Sequence, residues 1–338
     1  MPLLLSDRAT TAAPVPLVTV GEARAFGIRI RTTAFVRIRP GIYADRTAYE
    51  ALKPWERYAV RVHAFVRAHP DAALCLESAA VVHGLPLFGE TRDIHVHSPE
   101  RPRSRRFGDV AVHTSEDERV LERRGGVLVT SLLDTVADLG RALPPARALA
   151  VFDAALSPAQ GGPLSLGRLR GLGASRVSSR GSARQRWLWE HADDRAESPA
   201  ESVSRAVIEW SGFPRPELQR VFHYEGAEDR VDFHFPGSRV IGEADGWGKY
   251  GFEDPDAAAE RLIEEKRRED RLRRHGHPFG RWDLADAWRV TPLQRALTTA
   301  GVAYARPADP VMLHTLQDRR RDAPRRSPGA FAARETRS

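Results

Sequence analysis

Two short stretches, RVDFHFP at 230–236 and SRVIGEADG at 238–246, constrain this chain most. Successive side chains of a β-strand point to opposite faces. Alternation therefore sets Val231, Phe233 and Phe235 on one face, with Asp232 and His234 on the other. In the second stretch Val240, Gly242 and Ala244 alternate with Ile241, Glu243 and Asp245. A hairpin through Pro236-Gly237-Ser238 then makes one face apolar and gathers Asp232, Glu243 and Asp245 on the opposite one. Like charges crowded on a half-buried face cost stability. A bound Mg²⁺ (or Mn²⁺) removes that cost, since such an ion prefers an oxygen shell of one or two carboxylates plus water. It would also polarise a phosphate and acidify an attacking water. The alternative is a solvated strand carrying ordinary surface acids, and spacing alone does not decide between the two.

The stretches lie within an ordered series: SPAESVSR, FPRPELQ, RVDFHFP, VIGEADGWGKY, EEKRREDRLRRHGH and a terminal RW, all between residues 195 and 290. Asp232 followed by Pro236, and the strand-ending GEADG, resemble the PD-(D/E)XK nuclease superfamily, specifically its domain similar to very-short-patch-repair endonucleases. The resemblance implies a restriction-endonuclease-like α/β core, a mixed sheet flanked by helices. It also implies metal-binding Asp232 and Glu243, a supporting acid on the preceding helix, and nucleic acid as substrate. In one respect the chain departs from the pattern: Asp245 stands where the superfamily commonly has a lysine that stabilises charge developing on the phosphate. Lys249 and Lys266 are candidate replacements. The supporting acid would be Glu201, yet Ser198-Pro199-Ala200-Glu201 equally reads as a capping box. In the charged helix of roughly 256–275, Glu264 and Arg268 stand four apart in the stabilising order. Its main reading is a solvated helix, and the resemblance adds Lys266 and Arg267 as phosphate contacts.

Upstream, GEARAFG predicts a short helix, and FVRIRPGIYA a two-stranded ribbon around a Pro40-Gly41 turn. This helix and ribbon, with LESAAVVHGLPL and VTSLLDTVADL, resemble AbiEi-type antitoxins of type IV toxin–antitoxin systems, in which a winged helix binds operator DNA. The stretch between Gly27 and Phe35 is too short for a full recognition helix, so the expectation is a degenerate winged helix. Arg29, Arg31, Arg37 and Arg39 remain candidates for holding phosphates. His95 and His97 alternate on one expected strand and His113 lies on the next. Three imidazoles suit zinc, but strand histidines without an acidic or cysteine companion read as structural or solvated.

These elements predict an α+β or α/β chain divided into a disordered lead (1–16), an AbiEi-like winged-helix and α+β region (17–156), a Gly-, Ser- and Arg-rich linker (157–194), a nuclease-like domain (195–292) and a disordered basic tail (318–338). The 52 basic residues against 45 acidic ones leave a net charge of +7 over 338 residues, which suits a nucleic-acid partner through counterion release. Cys75 stands alone, which excludes an internal disulfide and multi-cysteine metal sites and fits a reducing cytoplasm. No apolar run is long enough to span a bilayer. Phosphate-loop, dinucleotide and serine-hydrolase motifs are absent. Two functions remain: a metal-dependent DNA endonuclease in defence or repair, or a non-catalytic DNA-binding regulator or antitoxin, with a cognate toxin as partner, that keeps the nuclease fold.

Overall fold

The computed structural model describes residues 2–245 and 255–322. Lys249 therefore lies outside the described residues. The fold is mixed α and β, and the chain divides into two compact units. Among the described residues, one comprises 2–9, 83–86, 132–245 and 255–318, the other 10–82, 87–131 and 319–322.

The second of these units carries two sheets. Strands β1 (Leu17–Thr19), β2 (Phe35–Arg39) and β3 (Ile42–Asp45) form one in the order β1-β3-β2. The expected ribbon is present, with its turn at Pro40-Gly41 and Gly41 at φ 76°. Strands β4 (Ala73–Leu74), β5 (Ile94–His97), β6 (Arg105–Phe107), β7 (Val110–His113), β8 (Leu121–Arg124) and β9 (Val127–Thr130) form the other, ordered β6-β7-β5-β4-β9-β8. The helix Pro54–Ala68 buries Tyr58, Val62 and Phe65, spaced to share one stripe, against Leu74, Ile94 and Val129.

The other unit holds the carboxyl-terminal sheet, β10 (Glu217–Tyr224), β11 (Ala227–Phe235), β12 (Val240–Asp245) and β13 (Phe279–Asp283), in that spatial order. β10, β11 and β12 run as an antiparallel meander. β13 joins β12 in parallel after the crossover helix Pro255–Arg274, the long connection that parallel pairing requires.

The unit boundary differs from the sequence division. Helices Leu132–Ala142 and Pro145–Leu156, expected to close the amino-terminal region, fold with the carboxyl-terminal sheet. The reason is burial. Every residue of Pro145–Leu156 is buried, and a helix apolar on all sides belongs between other layers. Its one acid, Asp153, is fully buried and accepts from Arg205 of the helix Pro199–Trp210 at 2.7 Å. The expected linker is folded as well, with helices Leu166–Ser175 and Ser182–His191. Leu169 and Leu188 are fully buried, and Arg141 donates to Gln185 at 2.9 Å. Arginines that read as solvated in the composition are here structural donors.

Candidate functional site

Strand alternation correctly sets Asp232 beside Glu243, but it misses a change of phase. The β11–β12 ladder pairs Phe233 with Gly242, His234 with Ile241 and Phe235 with Val240, so the next step faces Asp232 with Glu243. Phe233 stacks on Trp282 at 5.7 Å, and the Trp282 indole N–H donates to Ser204 of the helix Pro199–Trp210. Val231 instead packs with Ile241 and with Leu272 of the helix Pro255–Arg274. His234 meets Phe222 edge-on, within the same cluster. Val231 and His234 thus share the face opposite Phe233, and the strand turns over at Asp232. Asp232 Oδ2 takes the backbone N–H of Ala244 at 3.0 Å, a donor that regular pairing would give to a carbonyl. Across the sheet Gln219 adopts φ 52°, the matching irregularity in β10.

Glu243 is buried, and both of its oxygens accept from Arg268 Nη2 at 2.8 Å. Arg281, beside it on β13, reaches it at 3.8 Å and also pairs with Glu265 at 3.2 Å and Glu269 at 3.1 Å. Burial pushes the Glu243 carboxyl above the usual range, and the pull of Arg268 and Arg281 only partly offsets it. Asp245 is half-buried, in register with Asp283, and helps to raise the Arg281 guanidinium. Among the described residues no three His, Cys, Asp or Glu side chains are grouped to hold a metal ion. A buried carboxylate already spanned by a guanidinium does not fit the expected Mg²⁺ shell.

Ser198 caps the helix, but Glu201 does not close the box on the Ser198 backbone N–H. Ser198 Oγ accepts the Glu201 backbone N–H at 3.2 Å and donates to Glu201 Oε1 at 2.7 Å; the Glu197 N–H and Gln219 Nε2 donate to Oε2. Burial raises its carboxyl too. The partners of Glu201 are distinct from those of Glu243. Lys266 is exposed and pairs with Asp270 one turn on, while Arg267 is exposed.

In the other unit Arg37 is exposed, as are Arg29 and Arg31. Arg39 is not available for phosphate: its guanidinium spans both oxygens of Asp109 at 3.0 and 3.1 Å and lies over Phe65. The histidines do have an acidic companion, which sequence spacing concealed. Glu77, from the helix Leu76–His83, is buried with His95, and His95 Nε2 lies 3.5 Å from its carboxylate. Arg321, from the segment read as disordered tail, forms a two-pronged ion pair with Glu77. The backbone of 321–322 is tied down as well, with Arg92 N–H donating to the Arg321 carbonyl at 2.8 Å and a β-bridge between Thr91 and Asp322. Arg321 Nη2 also donates to His95 Nε2 at 3.3 Å, which leaves the His95 proton on Nδ1 to bond His113 Nε2 at 2.8 Å. Burial lowers both imidazoles; at His113 the neighbouring His95, and after it Arg321, add to this, and His113 falls to about 4. Burial also works against the Glu77 charge, but Arg321 and His95 outweigh it and hold Glu77 at about 2.

No family model and no solved structure matches the chain. Two mycobacterial proteins do. They are the uncharacterized protein MT2308 of Mycobacterium tuberculosis strain CDC 1551 / Oshkosh and the uncharacterized protein Rv2248 of strain ATCC 25618 / H37Rv. Each is 34% identical over 217 residues, covering 64% of this chain and 75% of its own length. The chain belongs to the same family as these two mycobacterial proteins.

Proposed function

We propose that the protein is a DNA-binding regulator that keeps a nuclease-type core without its cleavage chemistry. The order helix, three antiparallel strands, crossover helix and parallel strand supports the nuclease-like reading of residues 199–283. The observation that carries the rest is the Glu243–Arg268 pair. Both carboxylate oxygens accept from Arg268 Nη2, on a guanidinium that keeps its charge at every working pH. With Asp245 in the usual lysine position, the two guanidiniums nearest Glu243, those of Arg268 and Arg281, are already engaged by carboxylates rather than free to stabilise a reacting phosphate. The excess of arginine and the exposed Arg29, Arg31 and Arg37 supply the affinity for DNA.

A second reading, a Mg²⁺-dependent endonuclease, rests on a different observation: Glu243, Glu265 and Glu269 all draw on Arg281. With Asp245, which also acts on Arg281, four acids meet the three guanidiniums of Arg268, Arg273 and Arg281, a balance that a further cation would correct. One experiment separates the readings. The protein is incubated with supercoiled plasmid and single-stranded circular DNA in Mg²⁺, in Mn²⁺ or in EDTA, and the products are run on native and denaturing gels. The regulator retards DNA in a salt-dependent way and leaves it uncut. Cutting that EDTA and Asp232→Ala both abolish establishes the nuclease. A chain that neither binds nor cuts DNA refutes both.

A further inference from the structure

The connection between β5 and β7 is not a bare turn. It contains edge strand β6, and all ten residues from Pro99 to Gly108 are exposed. Four of them are arginines. Arg106 pairs with Asp93 at 2.7 Å, while Arg103 and Arg105 make no ion pair among the described residues. Phe107 ends the strand half exposed, at 50%, with the Arg101 guanidinium 5.6 Å from its ring centre. Arg105 and Phe107 are two apart on β6 and share a face. The loop is fixed in place: the Thr114 hydroxyl donates to the Arg101 carbonyl at 2.9 Å, and its backbone N–H donates to Ser104 Oγ at 3.1 Å. Unpaired guanidiniums on a held backbone, beside an exposed aromatic ring, are the combination that binds phosphates while stacking an unpaired base. A fully paired duplex offers no base face to Phe107.

We propose that residues 101–107 are a single-stranded nucleic-acid binding edge, in which Arg103 and Arg105 hold phosphates and Phe107 stacks a base. The proposal rests on the nucleic-acid reading above only for its class of ligand, and it needs neither the carboxylate site nor cleavage. The test is fluorescence anisotropy of the intact chain with a labelled 20-nucleotide oligo-dT and a duplex of equal length, across a salt series. Arg103→Gln with Arg105→Gln weakens oligo-dT binding about tenfold or more and flattens the log–log salt dependence by about 1.4, the effect of two phosphate contacts on a single strand. Phe107→Leu weakens oligo-dT binding at least about fivefold, Phe107→Trp preserves it, and duplex affinity stays the same in both. These positions are exposed, and unchanged circular dichroism and melting temperature confirm that the variants fold. Oligo-dT affinity unaltered in both the arginine and the phenylalanine variants refutes the edge while leaving DNA binding elsewhere intact. Equal losses on duplex and single strand refute the single-strand assignment. An intact chain that binds neither probe refutes the edge and the regulator together.

Discussion

Two buried glutamates, one in each unit, are each spanned by an arginine far away in sequence, yet they settle in opposite states. Glu77 takes Arg321 and is held down at about 2. Glu243 takes Arg268 and is pushed up. Burial raises both, so the difference lies in the company each keeps. Glu77 has a cation largely to itself and an imidazole beside it, whereas Glu243 shares Arg281 with Glu265 and Glu269. An ion pair is therefore a poor guide by itself. The balanced pair locks its unit, and the outnumbered one leaves a carboxylate whose charge the site only partly satisfies, which is the pattern of functional groups.

Removing one arginine from each unit tests this most severely. Arg321→Ala leaves a buried charge without its main partner, a loss of about 3–5 kcal/mol. It is read as faster amide exchange across β4, β5 and β7. Arg268→Ala costs less, about 1–2 kcal/mol, because Glu243 is already drawn towards its neutral form and keeps Arg281. Equal losses would erase the distinction.

The two units also respond to acid with opposite signs. His113 binds its proton near 4 when folded and near 6.5 when unfolded. The unfolded chain takes up more protons between those values, so the unit around Glu77 loses stability as pH falls from 6.5 to 4. The slope is at most about 1.4 kcal/mol for each step of one in pH. Glu77 then loses its contribution between 4.5 and 2. Glu243, raised when folded, reverses the sign: its unit gains as pH falls towards 4.5, since the folded state takes the proton first. Hydrogen exchange resolved by peptide at pH 7 and pH 5 measures both slopes. Glu243→Gln removes the share of the gain that Glu243 carries and leaves that of the buried Glu201 and Asp153; a gain that does not shrink in that variant shows that Glu243 carries none of it.

Much of this was legible in the sequence, and the failures share a cause. The helix start capped by Ser198, the strands around Asp232 and Glu243, and the stripe Tyr58–Val62–Phe65 follow from local spacing, which reports a residue's own element. Arg268, Arg281 and Arg321 escaped because their partners are set by tertiary packing, 25 to 244 positions away for Arg268 and Arg321. Asp232 was placed beside the right neighbour, but strict alternation hid the turn that aims its carboxylate at the Ala244 N–H. The supposed linker hid its helices because Gly, Ser and Arg look solvated until Arg176 is seen to pair with Asp134, and the linker's own Gln185 to accept from Arg141.

The smallest effect is expected at Lys266, which lies outside both buried sites. Its ammonium pairs with Asp270 at 3.1 Å on the same exposed helix, with side chains 66% and 46% accessible. Such a pair is worth about 0.5 kcal/mol or less. Lys266→Ala should therefore leave the exchange of β11 and β12 unchanged, and DNA affinity with it, since the ammonium is already matched by Asp270. A clear loss of DNA binding in Lys266→Ala, with stability unaltered, would put nucleic acid against the helix Pro255–Arg274 itself. The surplus of acids around Glu243 would then face a phosphate rather than solvent, a position that only an added cation makes tolerable, and the balance of the two readings would turn towards the nuclease.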